Sequence, residues 1–205
     1  MAMKVNSGKM NEYRRNLGEI WNNLTDFLDR NNIRNFSIWN AEDLIFIYCE
    51  SDDGLKLSEI ETEAVKEMAG KFDGTFTWIS PPGENMRLMY EDFGIVRENK
   101  ELIRHRMFMT KLKPGCEEEY KARHDVLAAQ RGGVPDPGPD SNFSIWSAGG
   151  YIFGYDEIDT TMEVEETPEA REETIAWETR QLGIMDWMTG EHHAASIRLA
   201  WHEGN

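Results

Sequence analysis

The sequence predicts an α+β fold made of two similar repeats. The first observation is a repeated stretch, because NFSIWNAEDLIFIYCE begins at Asn35 and NFSIWSAGGYIFGYDE begins at Asn142. The second is that the same shift of 107 residues, from 35 to 142, places Tyr13 of NEYRR on Tyr120 of EEYKARH. This period is far longer than the roughly 20–50 residues of solenoid repeats and matches a small domain of about 100 residues. The pattern therefore indicates a tandem duplication, with repeats at 1–100 and 101–205.

The composition limits the classes of partner. The 205 residues carry a formal net charge of −16, and this acidity disfavours nucleic acid, whose binding depends on Lys and Arg neutralising phosphates. It also disfavours an anionic membrane surface, and no stretch approaches the roughly 20 apolar residues of a spanning helix. The N-terminal MAMKVNSGKMNEYRR lacks the apolar run of a secretory signal. The sequence therefore predicts a cytoplasmic protein that binds neither nucleic acid nor membranes.

Each repeat is interpreted as strand, helix, two strands, helix and strand. The first repeat begins with a short strand in MAMKVN, and from Met10 its apolar residues recur at the three-and-four spacing of an amphipathic helix. These residues are Tyr13, Leu17, Ile20, Trp21, Leu24, Phe27 and Leu28. In the strand that follows, alternation directs Phe36 and Ile38 to one face and Ser37 and Trp39 to the other. Ser58 and Glu61 form a candidate capping box for the next helix, and MRLMYE from Met86 is the predicted closing strand.

The second repeat follows the same order with one change. Its first strand is predicted in RHRMFMTKLK, from Arg104, and its first helix contains EEYKARH. The segment GGVPDPGPDS, from Gly132, must end that helix early, so a loop replaces two or three helical turns of the first repeat. Thr167 and Pro168 predict the start of the second helix, and IRLAWH from Ile197 the closing strand. The acidic run from Asp156 to Glu173 is predicted to be a solvated face and linker.

In each predicted repeat the helices pack on one face of the sheet, so the other face must be buried by another element. Two sheets that face each other around a pseudo-twofold axis would bury both inner faces, as a symmetric homodimer does with one surface used twice. The sequence therefore predicts a monomer with internal pseudo-twofold symmetry, and it leaves open whether this monomer associates further.

A tyrosine and a histidine of the second repeat are the candidates for chemistry. Tyr120 and His124 are four residues apart, so both lie on one face of the predicted helix. The shift of 107 places His124 opposite Leu17, in the middle of the apolar stripe of the first helix. A titratable group with a reference pKa of about 6.5 thus faces the sheet, which suits an acid or a base. A histidine that faces inward is also often a core residue with satisfied hydrogen bonds, and this alternative stays open.

Aromatic residues recur at matched positions, and metal or redox signatures are lacking. The matched pairs are Trp39 with Trp146 and Tyr90 with Trp201. Their rings suit stacking on a sugar but also build ordinary cores. His192 and His193 are adjacent, diverge in direction and have no evident third ligand, so no metal is predicted. Cys49 and Cys116 do not form a disulfide pattern, and the sequence contains no phosphate-binding loop, nucleophile elbow or dinucleotide fingerprint.

The run FMTKLKPGCEEEYKARH, followed by NFSIW, a second strand, a helix and a closing RLAWH, resembles the L-rhamnose mutarotase family. The resemblance is clearest from Met107 to Tyr155 and weaker from Lys9 to Tyr48. Members of that family are small dimeric α+β barrels of ferredoxin-like topology, about half this length, which interconvert the anomers of L-rhamnose. The resemblance implies two ferredoxin-like repeats that form an intramolecular pseudo-dimeric barrel, a monosaccharide as ligand and no cofactor.

The resemblance also implies roles for individual residues. The family's helix tyrosine and catalytic histidine fall on Tyr120 and His124, and Leu17 takes the histidine position of the first repeat. The family's Trp-Trp pair on the second helix is not matched, because this chain has RQLGIMDW there, with Trp177 and Trp187 nearby. The hypothesis is that His124 moves the proton, Tyr120 orients or relays it, and aromatic rings bind the sugar. The predicted substrate-binding residues are Trp146, Tyr13, Trp39, Trp187 and Trp201.

The sequence leaves two alternative functions open. One is a non-catalytic sugar-binding protein descended from a mutarotase, which would bind a sugar without turning it over. The other is a different cofactor-free enzyme on the same barrel, an isomerase or a monooxygenase, which would prefer apolar ligands over sugars.

Overall fold

A computed structural model of the chain describes residues 1–52, 63–81, 84–97, 99–165 and 167–188. The chain divides into two compact units, Met1–Met86 and Arg87–Asn205. Within the described residues, two antiparallel sheets and four helices confirm the predicted α+β class. A division of the sequence into repeats at residue 100 stays a prediction, since a sequence repeat and a compact unit need not share a boundary. No helix in the described ranges has both the length and the apolar character needed to cross a membrane.

The first unit has the strand and helix order of a ferredoxin-like domain. Its elements are β1 (Ala2–Val5), α1 (Met10–Arg30), β2 (Arg34–Ala41), β3 (Leu44–Glu50), α2 (Glu63–Gly70) and β4 (Phe76–Trp78). The strands form one antiparallel sheet in the order β2-β3-β1-β4. The predicted amphipathic helix is confirmed as α1, which buries Tyr13, Ile20, Phe27 and Leu28 and leaves Trp21 exposed. The proposed capping box of Ser58 and Glu61 lies outside the described residues.

The second unit repeats this order and adds one strand. Its elements are β5 (Arg87–Asp92), β6 (Ile103–Leu112), α3 (Glu117–Arg131), β7 (Asp140–Ala148), β8 (Tyr151–Asp159), α4 (Pro168–Gln181) and β9 (Met185–Trp187). The sheet order is β5-β7-β8-β6-β9, so β7, β8, β6 and β9 have the arrangement of β2, β3, β1 and β4. Both units are therefore compatible with ferredoxin-like repeats.

The strand predicted from MRLMYE exists, but it does not close the sheet of the first unit. It is β5, and it pairs with β7 of the second unit, with Glu91 opposite Ser144. The short strands β4 and β9 close the two four-strand patterns instead. Each has three residues, which is too short for an alternating pattern to be detected in the sequence. The strand predicted from Ile197 lies outside the described residues.

The predicted helix boundaries of the second unit are confirmed. α3 ends at Arg131, and Gly132 follows with a φ of 61°, the left-handed conformation in which glycine is favoured at a helix end. α3 has 15 residues against 21 in α1, so the segment from Gly132 to Pro139 replaces helical turns as predicted. We call this segment the Gly/Pro loop. α4 begins at Pro168, and the Thr167 hydroxyl accepts a hydrogen bond from the backbone N–H of Ala170 at 3.2 Å.

The prediction of a solvated acidic run was wrong at its beginning. Asp156 and Glu157 belong to β8 and are 1% and 0% exposed, whereas the acidic residues after Thr160 are exposed where described. Each buried carboxylate has a cationic partner from another segment, Arg106 for Asp156 and Lys100 for Glu157. Charge composition alone did not reveal these partners, because they lie about 50 residues away in the sequence.

The repeated sequence produces repeated contacts. The indole N–H of Trp39 donates to the Ser37 hydroxyl at 2.7 Å, and that of Trp146 donates to the Ser144 hydroxyl at 3.0 Å. Hydrogen bonds from Asn35 and Tyr48 to Glu50 are repeated by those from Asn142 and Tyr155 to Glu157. These matched interactions are what two copies of one ancestral strand pair would retain.

Candidate active site

A cavity of about 560 Å³ lies within the second unit. Its lining comes from all five strands of the sheet, from α3 and α4, and from the Gly/Pro loop. Aromatic rings, carboxylates and guanidinium groups share the lining, which is the mixture found in pockets that bind polar small molecules. Its volume falls within the usual range of about 300–1,000 Å³ for such pockets.

The strand register arranges the floor of the cavity in rows. In the central row Phe108 lies opposite Gly154, Gly154 opposite Ile145, and Ile145 opposite Tyr90. Side chains two residues apart on a strand share a face, so the neighbouring rows face the same cavity. One of these rows contains Thr110 opposite Trp187, and the other contains Arg106 opposite Asp156. The floor is thus aromatic in the middle, charged on one side and polar on the other.

Gly154 is required by the position of the Phe108 ring. A Cβ atom at residue 154 would lie 2.1 Å from a carbon of that ring, far closer than the 3.4–4 Å of an ordinary contact. The ring therefore lies directly over the β8 backbone and does not extend further into the cavity.

The imidazole of His124 has a defined tautomer. Its Nδ1 lies 2.9 Å from the backbone oxygen of Tyr120. A carbonyl oxygen only accepts hydrogen bonds, so Nδ1 carries the proton and the lone pair of the neutral ring is on Nε2. Burial lowers the pKa of His124 below its usual 6.5, and the side chain is 5% exposed. At neutral pH His124 is therefore an uncharged base.

Three aromatic rings surround this imidazole. The ring centroids of Tyr120, Tyr90 and Trp177 lie 4.3, 5.5 and 5.5 Å from that of His124, and the Trp177 ring is nearly perpendicular to it. Burial raises the pKa of both tyrosines, and the nearby Asp92 carboxylate raises that of Tyr90 further. Both phenols therefore keep their protons at neutral pH and act as hydrogen-bond donors.

Paired charges form the opposite side of the floor. Arg106 binds Asp156 with two parallel hydrogen bonds, one of them 3.0 Å long between Nε and Oδ1. Burial raises the pKa of Asp156 to about 6, and the guanidinium opposes this effect. Arg131, at the end of α3, pairs with Asp92 at 2.6 Å and with Asp136 at 2.8 Å. Asp136 belongs to the Gly/Pro loop, so this ion pair attaches the loop to the helix beside the cavity.

Some of the predicted site residues meet in this cavity and others do not. Tyr120, His124 and Trp187 line it, as does Tyr90 from the aromatic pairs. Trp146 follows the cavity-lining Ile145 on β7 and so lies on the opposite face of the sheet. Tyr13 and Trp39 are buried in the first unit, where the Tyr13 ring lies 5.5 Å from that of Phe72. Trp201 lies outside the described residues.

Sequence reasoning did not select one face of α4, although a signal for it exists. The residues of this face that line the cavity are Thr174, Trp177, Glu178 and Gln181. They recur with spacings of three, one and three residues, which is the pattern of a single helical face. Their mixed polarity hid the pattern, because the search for helical faces relied on apolar residues. Arg106 and Asp156 were missed because they lie on different strands, 50 residues apart in the sequence.

The corresponding positions of the first unit are apolar. A shift of 107 places His124, Thr110, Gly154 and Asp156 on Leu17, Met3, Ile47 and Cys49. Met3, Leu17 and Ile47 belong to or pack against one hydrophobic cluster. None of these four matched positions of the first unit carries an imidazole, a carboxylate or a hydroxyl group.

Segments of both units match the model of a known protein family. The family model for L-rhamnose mutarotase matches residues 1–76 and 105–202. No curated protein and no solved structure shows a significant match to the chain. The two matched segments together cover most of the sequence and include the helix that carries Tyr120 and His124. The chain therefore belongs to the L-rhamnose mutarotase family.

Proposed function

We propose that the second unit interconverts the anomers of a monosaccharide, L-rhamnose or a related sugar, by acid–base catalysis at His124. The observation that carries this proposal is the neutral imidazole at the cavity, whose Nδ1 proton is bound to the Tyr120 carbonyl oxygen so that Nε2 is the basic atom. The membership of the L-rhamnose mutarotase family supports the substrate class.

The reaction needs only proton transfers. The Nε2 atom of His124 removes the proton of the anomeric hydroxyl, the bond from the anomeric carbon to the ring oxygen breaks, and the imidazolium returns a proton to that oxygen. Rotation of the resulting aldehyde and the reverse steps close the ring with the other configuration. Nothing is oxidised or reduced, and both oxygens are bonded to the same carbon, so one imidazole can serve both. General acid–base catalysis of this kind contributes about 10²–10⁴-fold.

The neighbouring rings have a separate role in the proposal. The phenol of Tyr120 keeps its proton and orients the sugar as a hydrogen-bond donor. Trp177 and Phe108 line the same cavity and offer aromatic faces to the apolar face of a sugar ring. We infer one catalytic site for each chain, because Leu17 in the first unit replaces the base.

The proposal is tested by saturation-transfer NMR of anomer exchange on a panel of 6-deoxyhexoses, ordinary hexoses and uronates. We expect faster exchange for at least one sugar and a loss of about 10²–10⁴-fold in His124→Gln. His105→Gln is the matched control, because His105 lies on the opposite face of β6 from Phe108 and its Nδ1 is 2.7 Å from the Tyr155 hydroxyl. Circular dichroism is used to check that both variants are folded.

The outcomes separate the proposal from its alternatives. Full exchange activity in folded His124→Gln would remove His124 from the mechanism. Sugar binding without faster exchange by the wild-type protein would identify a non-catalytic sugar-binding protein, and a preference for apolar ligands would indicate a different cofactor-free enzyme.

A further inference from the structure

Three buried polar atoms of the cavity lining have no hydrogen-bond partner among the residues that the structure describes. They are Thr110 Oγ1, Gln181 Nε2 and Trp187 Nε1. Buried polar groups in folded proteins are almost always hydrogen-bonded, because an unpaired one has lost its water without a replacement. Three such atoms in one lining indicate a place where a ligand supplies the missing partners.

The positions of these residues are defined by the fold. Thr110 in β6 lies directly opposite Trp187 in β9. Gln181 is the last residue of α4, and its amide oxygen accepts a hydrogen bond from Arg123 at 3.4 Å. Arg123 also donates to the backbone oxygen of Arg180 at 2.6 Å, which attaches α3 to the end of α4. Since a guanidinium has only donors, the amide oxygen faces Arg123 and the amide nitrogen is the atom left for a ligand.

The first unit shows that the fold does not need the hydroxyl of Thr110. Its counterpart of Thr110 is Met3, which lies opposite Trp78 in the same pairing of the first and last strands. Met3 is buried, and its side chain belongs to a hydrophobic cluster. The same strand pair is therefore built with an apolar residue at this position, so the hydroxyl of Thr110 is not a requirement of the sheet.

We propose that Thr110, Gln181 and Trp187 form a subsite that binds one hydroxyl group of the sugar, an inference that rests on the proposed function. The indole and amide N–H groups are donors only, whereas the threonine oxygen also accepts. A sugar hydroxyl matches this set, because its oxygen accepts from two donors while its proton is donated to Thr110. A carboxylate lacks the proton and a deoxy position lacks the oxygen, so the subsite selects against sugars that carry either group there.

The test replaces the hydroxyl by a methyl group of the same size, in Thr110→Val. The unliganded protein loses no hydrogen bond, so we expect its Tm to be unchanged or higher. For the preferred sugar we expect KM to rise by about three- to tenfold, the loss of one hydrogen bond, with kcat unchanged because His124 is intact. Among monodeoxy analogues, the one that lacks the bound hydroxyl should bind Thr110→Val and wild type equally well.

Thr75→Val is the matched control. Thr75 lies in the first unit, and its buried hydroxyl also has no partner among the described residues. This variant removes an unpaired hydroxyl that does not line the cavity. As in Thr110→Val, its Tm should be unchanged or higher, while its KM should stay at the wild-type value. A fall in Tm only in Thr110→Val would show that its hydroxyl has a structural partner, and it would overturn the subsite.

Binding measured by NMR titration of each sugar separates the subsite from the proposed function. If wild type binds a sugar without faster exchange and Thr110→Val binds it more weakly, the catalytic proposal fails and the subsite is supported. If wild type catalyses exchange and Thr110→Val has the same KM on every sugar, the subsite is overturned and the catalytic proposal stands. If wild type neither binds nor turns over any sugar, both are overturned.

Discussion

Replacing Gly154 by alanine should reduce the space available to the sugar. The new Cβ atom would lie 2.1, 2.2 and 2.7 Å from three carbons of the Phe108 ring, so the ring must move by more than 1 Å to reach an ordinary contact of 3.4 Å. Phe108 and Gly154 face each other across β6 and β8, and the ring lines the cavity, so the open direction for this movement is into the cavity. The glycine of β8 thus preserves the volume of the site.

The stability cost of Gly154→Ala depends on what the new Cβ atom meets, which is the ring of Phe108. Residue 154 has no left-handed backbone angle, so alanine is tolerated by the backbone, and only the end of one side chain must shift. Overpacking costs about 1–3 kcal/mol, and we expect about 1 kcal/mol here because the cavity accepts the ring. This corresponds to a decrease in Tm of about 2–4 °C for a chain of this size. The displaced ring should raise KM for the sugar by about tenfold, equivalent to about 1.4 kcal/mol of binding.

The assay combines thermal unfolding with anomer exchange as a function of sugar concentration. The control is the same glycine substitution made in Phe108→Leu, because a smaller side chain at residue 108 removes the overlap. Since the loss of the ring can change KM by itself, the double variant is compared with Phe108→Leu alone, and Gly154→Ala should raise KM much less than tenfold there. The corresponding residue of the first unit is Ile47, so a side chain at this strand position is compatible with the fold where no phenylalanine lies opposite. An unchanged KM in Gly154→Ala would refute the argument that Phe108 limits the cavity. An equal decrease in Tm on adding Gly154→Ala to the wild type and to Phe108→Leu would also refute it.

Two further predictions concern titration and buried charge. Because burial lowers the pKa of His124, this proposed catalytic base stays neutral above pH 6.5, so kcat/KM should be constant there and fall only in more acidic solution. Asp156 titrates in the same cavity with a pKa of about 6, so the pH profile of kcat/KM is also measured in Asp156→Asn. A decrease in kcat/KM that begins at or above pH 6.5 would contradict the role of His124. An acidic decrease that is absent from Asp156→Asn would also contradict it. Arg106→Met leaves the Asp156 carboxylate buried without its cation and should lower the free energy of unfolding by about 3 kcal/mol. This is the lower end of the range of about 3–5 kcal/mol for a broken buried ion pair, because the Arg106 side chain is 29% exposed. Adding Asp156→Leu should restore most of this loss in urea denaturation. No recovery of stability in the double variant would contradict the argument that the unpaired buried carboxylate causes the loss.

Local patterns were sufficient for α1, for the two repeated hairpins and for placing the candidate residues Tyr120 and His124 together. The spacing of apolar residues predicted α1, and the repeated NFSIW stretch predicted the hairpins of β2 with β3 and of β7 with β8. The interval of four residues placed Tyr120 and His124 together, and the structure has both in the cavity lining. Such predictions succeed because helix and strand periods depend on residues only a few positions apart.

The remaining features depend on residues that are distant in the sequence. No local pattern indicated that β5 would pair with β7, that Arg106 would neutralise Asp156, or that Gly154 would lie beneath the ring of Phe108. Each of these contacts is set by strand order and register, which arise when the whole sheet assembles and buries its faces. The sequence by itself predicted the duplication, the α+β class and the candidate residues Tyr120 and His124. The shape, charge distribution and unpaired polar atoms of the cavity emerged only from the packing of the strands and helices of the second unit.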